Sequence, residues 1–204
     1  IYYSNDTATA VEKGPLSLAR GYLAAAGNSN FGYFGGGFPG PRVSTVDRID
    51  YSNDTATAPA KGPLSAAKIY HSATGNGSFG YFGGGIPGPL STVDRIDYSS
   101  DTGTAPSKGP LNTAGAYLAA SSSRANAMPL KGPGILEVPV SFGAFSRLVP
   151  QGTDFGYFAG AYPLKSDVDR IDFSNDTATA VQKGSISAAR YSMGATGNAS
   201  FGYF

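Results

Sequence analysis

The sequence FGYFGGG, which spans Phe31–Gly37 and returns at Phe79–Gly85, decides the fold of this chain. The shorter form FGYF begins again at Phe155 and Phe201. A second marker, DRID, occurs three times, beginning at Asp47, Asp94 and Asp169. Both markers recur about every 47 residues, and a fixed period of this length is the signature of a tandem-repeat protein.

The repeat divides the chain into units of a single repeat domain that covers residues 1–204. One interval between markers is longer, because it carries an insertion that we place at residues 121–152. The chain begins and ends inside a repeat, which predicts a fragment, a processed product or an incompletely determined sequence. The complete units are 14–60, 61–107 and 108–182, and residues 1–13 joined to residues 186–204 complete a split unit.

Each unit contains four short segments that are typical of β-strands. In the first unit they are residues 18–27, 30–36, 44–52 and 55–60. The intervening Gly-Asn and Asn-Asp pairs favour hairpin turns, and the frequent Gly and Pro leave no credible long helix. We therefore expect an all-β protein of four-stranded antiparallel sheets, which stack because one sheet cannot cover both of its faces.

The units resemble the kelch repeat, in which an Arg precedes a small-residue strand, an aromatic strand ending in a Gly pair, and a Tyr-Asp. The first unit offers Arg20, Ala24-Ala25, Tyr33-Phe34-Gly35-Gly36 and Val46–Asp50. Ile and Ala stand where the kelch pattern has its Tyr and Trp, so we expect the FGYF aromatics to fill the Trp volume. The resemblance implies a β-propeller. Joining the two ends of the chain into one split blade gives about four blades, one of which carries the long insertion; the alternative is that these units belong to a longer array of five to seven blades.

The near-verbatim unit DRIDYSNDTATA, with KGPLS and FGYFGGG, also resembles repeats in virion structural proteins of marine phages, cyanophages especially. This resemblance implies a non-enzymatic structural or adhesion module on a virion or an extracellular surface. Its partners would be other structural proteins of that particle or surface. Oligomers are also expected, because near-identical units can pair in alternative registers.

The composition argues against catalysis. The chain has no Cys and one His, and its two Glu are Glu12 and Glu137, so no conventional triad, thiolate site or acid/base pair can be assembled. The glycine clusters lack the Lys-Ser/Thr of a phosphate loop. A net charge of +1 provides no field for nucleic acid, and no apolar run is long enough for membrane insertion. We therefore expect no catalytic, cofactor or metal residues.

The charged residues of DRID and its turn have two alternative roles. The last Asp of DRID, Asp50 in the first unit, either helps to form a calcium site or accepts hydrogen bonds from nearby backbone amides in an Asx turn. Repetition in every unit favours the turn. Arg48 follows Asp47, so the two charges point to opposite faces of a strand. We expect Arg48, Arg95 and Arg170 each to pair with an Asp of the adjacent unit, because a buried Arg needs such a partner.

Two candidate binding surfaces follow from the repeat. The tyrosines beside the kelch-like Arg position could stack on sugars, which makes a multivalent glycan-binding propeller the alternative function. They are Tyr22, Tyr70, Tyr117 and Tyr191. The insertion is the least repetitive stretch, and unit-specific loops carry specificity in repeat scaffolds. We place a partner surface at Arg124, Met128, Lys131 and Arg147, unless the insertion only adds a strand pair or covers a sheet edge.

Overall fold

The computed structural model describes residue 7 and residues 9–122, 155–197 and 201–204. These residues form thirteen β-strands. The strands are β1 (Ala24–Gly27), β2 (Phe31–Gly35), β3 (Val46–Asp50), β4 (Ala60–Lys61), β5 (Ser72–Gly75), β6 (Phe79–Gly83), β7 (Val93–Asp97), β8 (Ala119–Ser122), β9 (Phe155–Ala161), β10 (Lys165–Asp172), β11 (Val181–Lys183), β12 (Thr196–Gly197) and β13 (Gly202–Tyr203). Within this part of the chain no helix could cross a membrane.

The strands form four antiparallel sheets, which confirms the all-β prediction. The first sheet has the order β1-β2-β3-β4, the second β5-β6-β7, the third β8-β9-β10-β11 and the fourth β12-β13. In the first three sheets the Tyr of FGYF lies opposite the Arg of DRID. The pairs are Tyr33 with Arg48, Tyr81 with Arg95, and Tyr157 with Arg170. The sequence repeat is therefore also a repeat of strand register, which side-chain alternation specifies.

The strands are shorter than the segments predicted from the sequence. β1 begins at Ala24 rather than at residue 18, because Tyr22 has a φ of 61°, and this left-handed conformation interrupts an extended strand. Tyr70 and Tyr117 adopt the same conformation. In the second sheet the fourth strand is reduced to one bridge, between Asp94 and Ser107.

Successive sheets pack face to face through aromatic side chains. Tyr33 is stacked on Tyr98 of the next unit, with ring centroids 4.8 Å apart, and Tyr81 on Phe173 at 4.6 Å. Both Tyr33 and Tyr81 are fully buried. Each stacked pair contributes about 0.5 to 1.5 kcal/mol beyond the area that it buries. The FGYF aromatics therefore fill the space between sheets, as expected for a sequence without Trp.

Glycines at the ends of the FGYF strands allow this close stacking. A Cβ on Gly35 would lie 3.0 Å from Cε1 of Phe82, and a Cβ on Gly83 would lie 2.8 Å from Cε1 of Phe158. The next glycine, Gly36, has a φ of 68°, which residues with a side chain rarely adopt. The glycine cluster therefore serves sheet packing and the turn at the strand end.

A line of backbone hydrogen bonds connects the segments that precede the first strand of each sheet. Tyr70 N donates to Tyr22 O (3.2 Å), Tyr117 N to Tyr70 O (2.6 Å) and Ser192 N to Tyr117 O (2.9 Å). Among the described residues no such bond returns from Ser192 to Tyr22, and no closed ring of sheets is detected in this part of the chain. The insertion falls largely on residues 123–154, and the N-terminal part of the split unit includes residues 1–6; both ranges lie outside the described residues.

Candidate functional site

An Asp in the turn after the second sheet is bound by the side chains of the first sheet; we call this arrangement the carboxylate clamp. Asp101 Oδ2 accepts hydrogen bonds from Tyr33 Oη (2.9 Å) and Arg48 Nη1 (2.7 Å). Its Oδ1 lies 3.5 Å from Lys61 Nζ. The Asp101 side chain is only 7% exposed, so the two hydrogen bonds and the ion pair to Lys61 replace the water that its carboxylate would otherwise bind.

The clamp repeats between the second and third sheets. Asp176 Oδ2 accepts hydrogen bonds from Tyr81 Oη (3.1 Å) and Arg95 Nη1 (2.6 Å), and its Oδ1 lies 3.4 Å from Lys108 Nζ. Burial and the nearby carboxylate raise the pKa of Tyr81 above its ordinary value, so its hydroxyl stays protonated and donates. The predicted pairing of the DRID Arg with an Asp of the adjacent unit is confirmed in both clamps.

The third sheet carries the same donors without a carboxylate partner among the described residues. Arg170 lies over the ring of Phe155, with its Cζ 4.0 Å from the ring centroid. Arg48 and Arg95 each form an ion pair with a turn Asp, whereas Arg170 forms none within the described part of the chain. Tyr157 is only half-buried, whereas its counterparts in the first two sheets are fully buried. The third sheet therefore carries the Tyr and Arg of a clamp, but no turn Asp among the described residues binds to them.

A second set of charges, which was not predicted from the sequence, is buried within the units. Arg20 Nη1 lies 2.7 Å from Asp47 Oδ2, and both side chains are fully buried. Ser17 also donates to this carboxylate, through Oγ (2.7 Å) and N (3.1 Å). In the next unit Lys68 Nζ lies 3.0 Å from Asp94 Oδ2. These pairs could have been predicted from the basic residue that precedes the first strand in both units. In the third unit the same position is Gly115.

The last Asp of each DRID holds the turn that follows. Asp50 Oδ1 accepts hydrogen bonds from Ser52 N (2.9 Å) and Ser52 Oγ (2.6 Å), and the same two bonds recur in the other two units. The bonds from Ser hold the pKa of these carboxyls below its usual value. The Asx-turn prediction is therefore confirmed. In the described ranges no three His, Asp or Glu side chains are grouped to hold a metal ion.

The structure brings the four candidate tyrosines into one column, which we call the tyrosine column. Ring centroids lie 4.5 Å apart for Tyr22 and Tyr70, 4.0 Å for Tyr70 and Tyr117, and 5.9 Å for Tyr117 and Tyr191. Tyr22 is 56% exposed and Tyr191 is 44% exposed. The two inner rings cover part of each other's faces, so the rings at the ends of the column are better placed to stack on a ligand.

Tyr162 extends the tyrosine column and was not predicted from the sequence. Its ring centroid lies 5.6 Å from that of Tyr191 and 6.2 Å from that of Tyr117, and it is 52% exposed. It directly follows β9, at the position of Phe38 in the first unit. The aromatic residue at the equivalent position of the first unit could have predicted this extension of the column.

The last unit is shifted by one residue relative to the alignment made from the sequence. Ser192, and not Tyr191, has the left-handed φ of 58° and donates its N–H to Tyr117 O. Ser192 is therefore the structural counterpart of Tyr117, and Met193 is the counterpart of Leu118 and His71. Matching the tyrosines by residue type gave the wrong register, because the backbone conformation defines the repeat.

The partner surface predicted in the insertion, at Arg124, Met128, Lys131 and Arg147, lies outside the described residues. Comparison with known proteins adds no family: a scan against protein-family models finds no match, and a search of curated proteins finds no significant relative. Function therefore has to be argued from the geometry of the clamps and of the tyrosine column.

Proposed function

We propose that the chain is a non-enzymatic structural or adhesion module of a virion or an extracellular surface, built as a kelch-like β-propeller of about four blades. The carboxylate clamp carries this proposal, because the same side-chain types recur between successive sheets at nearly the same distances. A contact that repeats with the sequence serves the array as a whole. The partners would be other structural proteins of the same particle or surface.

The state of the charged groups supports a structural rather than a catalytic role. In the first two units Asp47, Asp94 and Asp101 are each bound by a cation of the same chain. Burial lowers the pKa of His71 to about 3, so its imidazole is neutral, and its Nε2 lies 3.1 Å from Gly35 O. The three carboxylates are therefore already paired within the chain, and this supports a structural role for them.

The propeller form makes a specific prediction for the third clamp. In a closed ring the next turn would come from the N-terminal segment, where Asn5-Asp6 matches Asn175-Asp176 in sequence, and Asp6 would bind Arg170. A double-mutant cycle of D6N and R170Q, measured by urea unfolding, should then give a coupling energy of about 0.5 to 3 kcal/mol. Light scattering should show a monomer. Additive effects of the two substitutions would argue for an open stack of sheets.

The surface assignment is tested on the native material. Mass spectrometry of purified particles, or of the washed outer surface of source cells, should recover peptides of this chain in amounts comparable to known structural components. Recovery only from the soluble fraction would contradict the assignment. The intact mass measured in the same experiment shows whether these residues belong to a longer chain.

Glycan binding is the alternative function, and the exposure of Tyr22 favours it. A glycan array would be probed with the native chain, with Y22A, and with Y203A as the control, since Tyr203 is 58% exposed and lies outside the tyrosine column. Binding that is lost in Y22A and kept in Y203A supports the alternative. An array that stays blank at every protein concentration removes it.

A further inference from the structure

The third unit departs from the repeat at four positions that lie around one buried carboxylate. Gly115 replaces the basic residue that is Arg20 in the first unit and Lys68 in the second. The other three replaced positions line one cavity together with Asp169. They are Ala161 in place of a glycine, Lys165 in place of an aliphatic residue, and Asp167 in place of a threonine. Unit-specific changes that converge on one cavity point to a unit-specific role.

Asp169 is buried without the cation that its counterparts have. It is 4% exposed, and its Oδ2 accepts a hydrogen bond from Thr113 N at 3.0 Å. The backbone N–H of Asn112 also interacts with this carboxylate and lowers its pKa, but the Oδ1 atom has no partner with good hydrogen-bond geometry among the described residues. Its counterparts Asp47 and Asp94 are each paired with a buried cation. Burial raises the pKa of Asp169 above its ordinary value, as expected for a carboxylate that lacks such a partner.

Lys165 does not take the place of the absent basic side chain. Its Nζ donates to Ala114 O at 2.9 Å and forms no ion pair with Asp169 within the described part of the chain. The Lys165 charge lowers the pKa of Asp169, but burial outweighs it and the net shift is upward. Asp167 accepts a hydrogen bond from Gln182 Nε2 at 3.1 Å. The lining therefore holds two carboxylates and one ammonium group, and these formal charges sum to a negative value.

The residues that line the cavity include the counterparts of the two partners of the Lys68 ammonium group. The cavity volume is about 10 Å³, which is room for roughly one water-sized species. In the second unit Lys68 Nζ lies 3.0 Å from Asp94 Oδ2 and donates to Phe82 O at 3.0 Å. Asp169 and Phe158, the counterparts of Asp94 and Phe82, both line the cavity.

We propose that this cavity binds one ammonium ion, at the position that corresponds to Lys68 Nζ in the second unit. Ammonium is close to water in size, carries the positive charge that Gly115 does not supply, and offers N–H donors to the unpartnered Oδ1 of Asp169. A hard divalent cation such as Ca²⁺ would require six or more oxygen ligands, and this lining does not offer them.

Thermal unfolding of the full chain at neutral pH tests the site. The melting temperature would be compared in ammonium, sodium and tetramethylammonium chloride at equal ionic strength, since tetramethylammonium is too large for the cavity. Ammonium at ten times its Kd should raise the Tm by about 3 to 6 °C relative to the other two salts. Equal Tm values in all three salts, or a rise in sodium equal to that in ammonium, would overturn the proposal.

Variants assign the effect to this cavity. D169N should remove the ammonium response, and D172N, which changes the Asx-turn carboxylate of the same strand, should keep it. G115K combined with A161G rebuilds the second-unit residues; A161G is included because a Cβ on Gly115 would lie 2.5 Å from Ala161 Cβ. This double variant should fold and should no longer show a rise in Tm with ammonium. It tests whether ammonium binds in this cavity even if D169N does not fold. If ammonium still raises the Tm of D169N, or of the G115K/A161G double variant, the proposed site is wrong.

Discussion

At the scale of single residues, the first Asp of DRID lies in three different environments. Asp47 is paired with a guanidinium group and Asp94 with an ammonium group, whereas Asp169 is buried and forms no ion pair within the described part of the chain. Identical residues in identical registers therefore contribute differently to stability. Replacement by Asn removes the partner of a buried cation in the first two units, but removes an uncompensated charge in the third.

We predict opposite effects for D94N and D169N at neutral pH in ammonium-free buffer. D94N should cost about 3 to 5 kcal/mol, because Lys68 is left buried without its partner. D169N should raise the free energy of unfolding, because the folded pKa of Asp169 lies above its ordinary value of 3.8 and the native state therefore loses stability as the group ionises. Below pH 3.8 both states bind the proton, so this gain should vanish. Urea unfolding at two pH values measures it; a loss in D169N equal to that in D94N would contradict the prediction.

His71 should make the fold sensitive to acid. Its folded pKa is lowered to about 3 by burial, from an ordinary value of 6.5. As the pH falls below 6.5, His71 becomes protonated in the unfolded chain but stays neutral in the native chain. The free energy of unfolding therefore decreases as the pH falls from 6.5 towards 3. H71L places the residue of the first and third units, Leu23 and Leu118, at this position. The drop in unfolding free energy between pH 7.5 and pH 5 should be larger for the native chain than for H71L, and equal drops would contradict this account.

Residue-level contacts were predictable where both partners belong to the repeat. The Asx turns and the pairing of Arg48 with an Asp of the next unit follow from residues present in every copy. The Arg20–Asp47 pair was not predicted, because its members lie 27 residues apart and the basic position changes to Lys and then to Gly along the chain. The Asp169 cavity could be recognised only once Asp47 and Asp94 had been seen with their cations.

At the scale of elements, the left-handed tyrosines separate a backbone effect from a stacking effect. Tyr70 lies between two rings of the tyrosine column, whereas Tyr22 contacts one. Asn tolerates the left-handed conformation of both positions, so Y70N and Y22N change the backbone preference equally. Y70N should therefore lower the Tm more than Y22N does. Equal losses in a thermal melt would show that the stacked rings contribute little to stability.

The carboxylate clamp should couple neighbouring sheets measurably. A double-mutant cycle of R48Q and D101N should give a coupling energy of about 0.5 to 3 kcal/mol, because their side chains form a largely buried ion pair across the sheet interface. The matched control pairs R48Q with D54N. Asp54 has the same turn position one unit earlier but lies 3.2 Å from Lys13 Nζ. Coupling as large in the control as in the clamp would contradict a direct contact.

The type of each element was predictable, and its ends were not. Alternating small and aromatic residues, bounded by Gly-Asn and Asn-Asp pairs, indicated strands and hairpins because turn chemistry is local. The true start of β1 depends on the left-handed Tyr22, and tyrosine has no intrinsic preference for that conformation. The backbone bonds that fix Tyr70 and Tyr117 in it come from neighbouring units, so a single segment could not reveal them.

At the scale of the whole molecule, repetition predicted stacked sheets but not whether they close into a ring. Each interface uses the same groups: Tyr98 and Phe173 stack on the preceding Tyr, and Asp101 and Asp176 enter the preceding clamp. Because these interfaces are nearly equivalent, the local contacts are compatible with either topology. Closure therefore depends on the angle between sheets, which no single motif encodes.

Deletion of one complete unit distinguishes the two topologies. Removing residues 61–107 brings the first sheet against the third unit, where Phe173 and Asp176 supply the groups that Tyr98 and Asp101 supplied, and Lys108 takes the place of Lys61. The shortened chain should therefore still fold and unfold cooperatively. If the native array is a closed propeller, three units leave a gap, and two shortened chains should associate to bury the exposed faces. Light scattering that shows a dimer supports the propeller, whereas a stable shortened monomer indicates that the sheets form an open stack.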